Sequence, residues 1–436
     1  MFNAFSFAKV AALLICIFLT SVRTSHGQLD CACFDRVQPG GIGAGDVFGH
    51  SAHINGDYAV IGAPGKGPGT KPGTAFVYKL EGENWVLQAQ LLASDGNAND
   101  YFGASVTISG DLIAVGAILA DPYGKNSGAV YVFRRFGSIW TEEAKLEPNP
   151  NSEEPVVSHD AFGNSVAISG SMVLVGTPGH NTNGPNTGSV LVFQPVLGLW
   201  SEVQRIEPAN FQAGADFGYK ITTSGTTAFI SAYGHDSFSN TDNGIVFVYA
   251  FTGGTWIQTA QITGLINGAR FGVDLDVDNN KLIVGTIGDG AYIFTPGVGG
   301  IWQESAHLVP PGPSSTALGH SVAISDDIDG TVAFVGDYAF DVLDTDPSCV
   351  APTPEGQSRP DHLGAGAVYT FASCTGQWIH TNTDVSDVVS LNGLWGVSIA
   401  AENGRIVIGD WDFGNGLIGG ASFGYIDSDG DGLPDL

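Results

Sequence analysis

The last ten residues of the chain concentrate the carboxylates whose spacing points most clearly to metal chemistry. Four aspartates occupy positions 1, 3, 5 and 9 of this run: Asp427, Asp429, Asp431 and Asp435. Gly432 at position 6 permits a tight turn, and Leu433 at position 7 would add its carbonyl oxygen, as at the start of a calcium loop. The chain stops at position 10, before the bidentate acid of an EF-hand. We expect weak Ca²⁺ binding here, with a solvated acidic tail as the alternative.

A second set of oxygen donors lies in one short loop. Asp95, Asn97, Asn99 and Asp100 make that loop the next candidate for a cation. Asp100 also belongs to a recurring pattern, in which an aspartate stands one or two residues before a Phe-Gly pair. The other members of the pattern are Asp46, Asp160 and Asp216. These aspartates either form an acidic ring or cap the turn into the following strand, and we favour the cap.

The remaining motifs do not indicate catalysis. Asp274, Asp276 and Asp278 lack the glycine at position six of a calcium loop, so we interpret them as polar residues on one strand face. The segment from Gly420 to Gly424 has the pattern G-x-S-x-G without a helix after it, which we regard as a coincidence. Neither H-E-x-x-H nor the phosphate-binding Gly-Lys-Ser/Thr occurs. We therefore do not expect an enzyme.

An internal repeat must position all of these groups. Five copies open on Phe-Gly and two degraded copies on Leu-Gly and Trp-Gly: Phe48, Phe102, Phe162, Phe217, Phe271, Leu318 and Trp395. Each full copy holds four short apolar segments with period two, and four strands in roughly 50 residues are typical of a propeller blade. The sequence predicts an all-β, seven-bladed β-propeller of four-stranded antiparallel blades. The blades begin near residues 48, 102, 162, 217, 271, 319 and 395.

Closure of the ring and the lengths of its loops follow from the same repeat. The seventh copy lacks a tryptophan strand, and residues 33–39 resemble the fourth strand that opens at Trp200. We expect residues 33–39 to complete blade seven, which would cover two open sheet edges. Strand 2–3 and strand 4–1 connections are long and share one face of the ring, where we expect binding. His50 and His320, at equivalent places in the first strands, are expected to be polar lining of the channel.

Phe48-Gly49, followed a dozen residues later by Gly62-Ala63-Pro64, resembles the FG-GAP repeat. That repeat builds the seven-bladed propeller of integrin α-subunits and of many secreted bacterial proteins, and the resemblance extends over roughly residues 33–426. It implies a binding or adhesive propeller more often than an enzyme. Integrin-like blades carry an Asp/Asn-rich calcium motif in the strand 1–2 loop. Here those loops are two- or three-residue turns, so we do not expect calcium in them. The acidic tail is similar to the calcium repeats of thrombospondin type 3 modules.

The N-terminal residues have the pattern of an export signal. Lys9 supplies a positive charge, an apolar core runs from Val10 to Leu19, and small residues flank a cleavage site after Gly27. We expect residues 1–27 to be removed, residues 28–426 to form the propeller and residues 427–436 to form the tail. No stretch of the mature chain is apolar enough to cross a membrane. The protein is then secreted, extracellular or on the cell surface.

Charge and cysteine content narrow the partners and the compartment. The chain has 44 Asp and Glu against 16 Lys and Arg, a net charge of −28, which argues against nucleic acid and anionic membrane surfaces. Cys349 and Cys374 lie in the same repeat and are expected to form a disulfide. Cys31 and Cys33 are either bridged to each other or reduced.

Three functions are compatible with these observations. We expect an exported, non-catalytic, monomeric propeller that recognises an extracellular protein or glycan through its long-loop face. The alternative is a secreted propeller hydrolase or lyase that acts on polysaccharide with an acid pair or a metal on the same face. The third hypothesis is a structural surface protein without a specific ligand.

Overall fold

A computed structural model describes most of the chain beyond the N-terminal segment. The described residues are 35–43, 45–65, 72–148, 157–181, 184–208, 212–236, 241–311, 315–326, 330–340, 366–374, 377–385, 393–412 and 420–425. They form 28 strands and one 3₁₀ turn at Val298–Gly300. Within these ranges no helix has the length and apolar character needed to cross a membrane.

The strands form seven four-stranded antiparallel sheets, as the sequence predicts. Six of them have their strands in chain order, and in the seventh the first strand of the chain lies beside the last one. Blade one contains β2 (Ser51–Asn55), β3 (Tyr58–Ala63), β4 (Thr74–Glu81) and β5 (Asn84–Leu91). Blade two contains β6 (Phe102–Ser109), β7 (Leu112–Ala117), β8 (Ala129–Phe136) and β9 (Ile139–Leu146). Blade three contains β10 (Val166–Ser169), β11 (Met172–Thr177), β12 (Ser189–Val196) and β13 (Leu199–Ile206). Blade four contains β14 (Ile221–Ser224), β15 (Thr227–Ala232), β16 (Ile245–Thr252) and β17 (Thr255–Thr263).

The remaining three blades follow the same order. Blade five contains β18 (Leu275–Asp278), β19 (Lys281–Gly285), β20 (Ala291–Pro296) and β21 (Trp302–Leu308). Blade six contains β22 (Val322–Asp326), β23 (Thr331–Asp337), β24 (Ala367–Cys374) and β25 (Gln377–Val385). Blade seven contains β26 (Gly393–Glu402), β27 (Arg405–Asp412), β28 (Gly420–Tyr425) and β1 (Asp35–Val37). The first strand of blades one to six and β26 of blade seven are the inner strands, which contact one another around the channel.

The N-terminal strand closes the ring, as predicted. β1 pairs antiparallel with β28, with Asp35 opposite Phe423 and Val37 opposite Ala421. The Arg36 guanidinium donates to Asp410 Oδ2 at 2.7 Å and so ties this strand to β27. Because β1 joins β26, β27 and β28 in one sheet, blade seven has four strands like the other six.

The apolar core lies between the blades. Each core cluster combines one face of a blade with the facing side of the next, and the repeat phenylalanines lie within these clusters. Phe48, Phe102, Phe162 and Phe217 are fully buried. Phe102, for example, meets Tyr131 edge-on at a centroid distance of 5.4 Å. Because Phe102 lies in one cluster with residues of blade one, such as Val60 and Val77, the repeat phenylalanines pack blade against blade.

Glycine is required where neighbouring blades meet backbone to backbone. Gly103 has φ +96°, and a Cβ there would lie 2.3 Å from the carbonyl oxygen of Thr74. A Cβ at Gly62 would lie 2.0 Å from the carbonyl oxygen of Gly103. No side chain fits at either distance, so both glycines are needed for the close approach of blades one and two.

A hydroxyl group bridges the same junction in five blades. The serine two residues after the glycine of the opening pair donates to the carbonyl oxygen of the glycine in the opening pair of the next blade. We call these contacts the inter-blade serine bonds. Their donors are Ser51, Ser105, Ser165, Ser321 and Ser398, with acceptors Gly103, Gly163, Gly218, Gly396 and Gly49 at 2.9, 2.7, 2.8, 2.5 and 2.8 Å. They satisfy carbonyl groups on inner edges that have no further strand beside them.

Other polar side chains of the inner strands bond to the neighbouring blade in the same way. In blade five, three carboxylates form a ladder: Asp274, Asp276 and Asp278. They accept backbone N–H groups of β22 at 2.9, 2.9 and 2.8 Å from Val322, Ile324 and Asp326. The prediction that these aspartates share one strand face is confirmed. The sequence did not predict that they accept hydrogen bonds from blade six.

The middle carboxylate of this ladder titrates far from its ordinary range. Burial raises the pKa of Asp276 to about 7, against the opposing effect of hydrogen bonds from the Ile324 and Val277 N–H groups. The charges of Asp274 and Asp278 raise the pKa of Asp276 further. Burial also lowers the pKa of His53 to about 4, which keeps this ring uncharged while it accepts from the Ile108 N–H.

We expect Asp276 to make the stability of the ring depend on pH. A carboxyl group whose pKa is raised in the folded state binds a proton there that the unfolded chain has lost, so its contribution to stability falls as pH rises from about 4 to about 7. Asp276→Asn removes this titration. Wild type should therefore lose stability relative to D276N between pH 5 and pH 8, measured as the urea midpoint at several pH values.

The matched control is Asp326→Asn, one blade further on. Burial favours a higher pKa for Asp326, but hydrogen bonds from Lys281 and Thr331 outweigh it and the pKa is lowered. D326N should therefore leave the slope between pH 5 and pH 8 unchanged, whatever its effect on the midpoint itself. Parallel pH profiles for wild type and D276N would contradict the assignment.

Candidate binding surface

The long connections emerge at one end of the ring, which we call the long-loop face. In blade two the turn between Ser109 and Leu112 is short, whereas residues 118–128 connect strands 2 and 3. In blade four the corresponding connection is 233–244. Antiparallel strands in chain order place the strand 2–3 and strand 4–1 connections together, so variable segments gather on a fixed scaffold.

The aspartates that precede the Phe-Gly pairs belong to this scaffold. Three of them accept a backbone N–H from three residues earlier: Asp46 from Gly43 at 2.8 Å, Asp100 from Asn97 at 2.7 Å and Asp160 from Val157 at 2.7 Å. The preferred interpretation as turn caps is confirmed for these three residues. Burial raises the pKa of Asp160 to about 6. Asp216 differs, because it accepts a hydrogen bond from the Tyr233 side chain.

The loop proposed from the sequence as a secondary cation site already has protein partners. Asp95 accepts the Tyr131 hydroxyl at 2.7 Å and the Lys145 ammonium at 2.8 Å. Burial favours a higher pKa for Asp95, but the hydrogen bonds from Lys145 and Tyr131 outweigh it and the pKa is lowered. Asn97 and Asn99 lie between Asp95 and Asp100 in the chain. Among the described residues no three His, Cys, Asp or Glu side chains group to hold a metal, and calcium at this loop stays a prediction.

A groove of about 360 Å³ lies where the end of blade two meets blade three; we call it the blade two–three groove. Its walls come from a strand 2–3 connection, from the end of β9 and from β12 and β13. The lining residues are Tyr123, Lys145, Leu146, Glu147, Pro148, Phe193, Trp200, Ser201 and Glu202. The groove therefore combines aromatic faces with groups of both charges.

Hydrogen bonds fix the polar groups of the groove. The Lys145 ammonium lies 2.9 Å from Glu147 Oε1, besides its contact with Asp95. Burial lowers the pKa of Lys145, but the bonds to these two carboxylates outweigh it and raise the pKa, which keeps the amine charged. The Tyr123 hydroxyl donates to Glu147 Oε2 at 3.2 Å. Glu202 lies 3.7 Å from the guanidinium of Arg205.

The tryptophans of the fourth strands link the outer parts of neighbouring blades. The indole N–H of Trp200 donates to Glu143 of blade two at 3.0 Å, and that of Trp140 donates to Gln88 of blade one at 3.0 Å. Trp85 stacks on Phe423 of blade seven at 4.7 Å. These tryptophans therefore join neighbouring blades. Trp200 remains half-buried and also faces the groove.

The repeat breaks at the mouth of the channel in blades four and five. The serine of the inter-blade bonds is replaced there by Lys220 and Asp274, whose charged groups lie 2.9 Å apart. Asp274 is buried, whereas 43% of the Lys220 side chain is exposed within the channel. Burial lowers the pKa of Lys220, but Asp274 outweighs it and raises the pKa. Ser231 replaces the glycine of the second strand, and its hydroxyl accepts the Lys220 N–H at 3.0 Å.

Aromatic and charged side chains surround this ion pair on the long-loop face. The Tyr219 and Tyr233 rings lie 4.0 Å apart, and the Arg270 guanidinium lies 5.4 Å from the Tyr233 centroid. Burial raises the pKa of Asp216, the partner of Tyr233, to about 6. We call this group the channel-mouth cluster. Its members are Tyr219, Lys220, Tyr233, Arg270, Asp274, His320 and Tyr338.

His320 connects the cluster to blade six. Its ring meets Tyr338 edge-on at 4.8 Å. Burial lowers the pKa of His320, Asp274 opposes that shift, and Lys220 adds to it. The surroundings of His320 thus come from blades four to six, whereas His50 belongs to blade one.

Sequence reasoning identified the aspartates but missed the members of both sites, apart from His320, Trp200 and Asp274. One signal was present: Gly-Ala-Pro erodes to Ser231-Ala-Tyr233 in blade four and to Gly336-Asp-Tyr338 in blade six. Those two departures place the tyrosines at the channel mouth. The groove had no such signal, because its walls come from distant segments of two blades.

Several predictions fall outside the described residues. They include the leader at 1–27, Cys31, Cys33 and the five ligands proposed in the tail. Cys349 is also outside, so its disulfide with Cys374 stays a prediction. Ser422 of the G-x-S-x-G pattern lies within β28, opposite Ile408, and the residues after Tyr425 are outside the described ones.

Comparison with known protein families agrees with the repeat. Four stretches match the FG-GAP repeat: residues 37–78, 85–133, 140–193 and 200–249. Each of the last three runs from the fourth strand of one blade to the third strand of the next. No curated protein matches the chain. The chain therefore contains four FG-GAP repeats within a seven-bladed propeller, and blades five to seven have the same strand order.

Proposed function

We propose that this propeller is an exported, non-catalytic binding or adhesion protein of the secreted bacterial type, and that it recognises an extracellular protein or glycan through its long-loop face. One observation supports this proposal most. The repeated polar groups hold the ring together, whereas the channel-mouth cluster departs from the repeat and the blade two–three groove adds a cavity lined by aromatic and charged side chains.

The composition of these two places is that of a recognition surface. Tyrosine, tryptophan and arginine supply large contact areas together with directional hydrogen bonds, and they are enriched where proteins bind partners. Both places are built on strands or on loop residues anchored to strands, so a partner would not have to order them. A monomer suffices, since each lies within one chain.

The alternative, a hydrolase or lyase acting on polysaccharide, would require two carboxylates with separate acid and base roles. Glu147 and Glu202 do line one groove. Each is part of an ion pair, with Lys145 in the case of Glu147 and with Arg205 in the case of Glu202, so both carboxylates contribute to holding the groove. Binding is therefore the better supported function.

The proposal predicts saturable binding that depends on the long-loop face. The protein beginning at Gln28 is screened against immobilised glycans and extracellular proteins. The variant Tyr123→Ala/Tyr233→Ala should bind the ligands found at least tenfold more weakly, because it removes an aromatic group from each place. The control is Val298→Ser, an exposed residue at the strand 3–4 connection of blade five, which should bind like wild type.

Two outcomes of this screen would contradict the proposal. One is the absence of any saturable ligand. The other is a ligand whose affinity falls with Val298→Ser and not with the tyrosine variant, because that would place recognition at the opposite end of the ring.

We also propose that the tail binds Ca²⁺, because Asp427, Asp429, Asp431, Leu433 and Asp435 have the spacing of oxygen ligands around a turn. Calcium titrated calorimetrically into the full chain should bind with a Kd of about 0.1–1 mM. The variant Asp429→Asn/Asp431→Asn should abolish that heat. The control Asp95→Asn tests in the same titration whether the second candidate loop binds Ca²⁺. Equal calcium binding by wild type and D429N/D431N would contradict the tail assignment.

A further inference from the structure

We propose that the blade two–three groove binds a neutral saccharide with adjacent free hydroxyl groups. This inference rests on the proposed function and names the site and the class of ligand. The groove is the place where a cavity, aromatic faces and hydrogen-bonding groups coincide. Its volume of about 360 Å³ lies at the lower end of small-ligand sites, which is appropriate for a short saccharide segment.

The aromatic walls match one property of a sugar ring. A pyranose has apolar C–H faces and a polar hydroxyl edge, so it packs a face on an aromatic ring while its edge meets polar groups. Tyr123 and Trp200 supply such faces from blades two and three. Their polar atoms are already engaged, with Glu147 and Glu143 respectively, which leaves packing as the contribution of these rings to a ligand.

The polar lining matches the other property. Hydroxyl groups both donate and accept hydrogen bonds, and the groove offers the acceptors Glu147 and Glu202 and the donor Lys145. The Ser201 hydroxyl donates to the Leu199 carbonyl at 3.4 Å, so its oxygen is a further acceptor. The carboxylates of Asp95, Glu147 and Glu202 outnumber the cations of Lys145 and Arg205 near the groove. An anionic ligand would be repelled, and the net charge of −28 adds to that effect. A neutral polyhydroxylated ligand is favoured.

The groove is also held in place before any ligand arrives. Lys145 is fixed between Asp95 at 2.8 Å and Glu147 at 2.9 Å, and Tyr123 holds the other oxygen of Glu147 at 3.2 Å. Trp200 is fixed by its bond to Glu143. Side chains that are already ordered lose little rotational freedom on binding, so even a small contact area gives measurable affinity.

The test is a calorimetric titration of the full chain beginning at Gln28 with neutral glucose, mannose and galactose hexaoses, and with a hexauronate of the same length. We expect saturable binding of at least one neutral hexaose and weaker binding of the hexauronate. Glu147→Gln and Glu202→Gln should each weaken the affinity at least tenfold, because an amide replaces a charged acceptor.

The control is Glu304→Gln in blade five. Glu304 stands opposite Phe294 as Glu202 stands opposite Phe193, so the two variants change the same repeat position on different blades. E304Q should bind like wild type. The melting temperatures of E147Q, E202Q and E304Q are compared with that of wild type, and Ser201→Ala tests the groove again if a glutamine variant is less stable.

Three outcomes would overturn the inference. The first is equal affinity for wild type, E202Q, E147Q and S201A. The second is tighter binding of the hexauronate than of any neutral hexaose. The third is no binding of neutral hexaoses while the wider screen finds a protein ligand at the long-loop face, which refutes the saccharide site and leaves the proposed function intact. If neither class of ligand binds, both proposals fail.

Discussion

The inner edges of the seven sheets are the constraint on which this structure depends. An inner strand has a partner on one side only, so its other N–H and C=O groups would face the channel unpaired. Side chains of the preceding blade meet that need: serine hydroxyls bond to carbonyls, and the ladder of Asp274, Asp276 and Asp278 accepts N–H groups. The glycines follow from this contact, because a Cβ at Gly62 would lie 2.4 Å from the Ser51 hydroxyl oxygen.

This arrangement changes in blades four and five, at the channel-mouth cluster. In the first strand of blade four Lys220 takes the place of the serine, and Ser231 takes the place of the glycine in the second strand. The Lys220–Asp274 pair then spans blades four and five. A partly exposed ion pair adds little stability compared with a buried neutral hydrogen bond. A departure from a local rule without an evident gain in stability is typical of functional sites, and here it coincides with Tyr219, Tyr233 and Arg270.

The sequence predicted the repeat, the four-stranded blades and the closing strand because period-two segments and recurring Phe-Gly pairs are local signals. It also predicted the turn caps, since Asp46, Asp100 and Asp160 bond within three residues. It could not predict the groove, whose walls join residues 123–148 to residues 193–202 through the packing of two blades. It could not predict that Tyr131 in β8 and Lys145 in β9 contact Asp95, which lies in the connection between β5 and β6.

The bonding of neighbouring blades through side chains of their inner strands is tested most directly at Ser105. Its hydroxyl donates to the Gly163 carbonyl in a buried setting at 2.7 Å, whereas Ser109 lies half-buried at the strand 1–2 turn of the same blade. The measurement is the urea unfolding of Ser105→Ala and Ser109→Ala. We predict that S105A loses about 1–3 kcal/mol, because a buried carbonyl loses its partner, and that S109A stays within about 0.5 kcal/mol of wild type. Equal stability of the two variants would contradict this account of the ring.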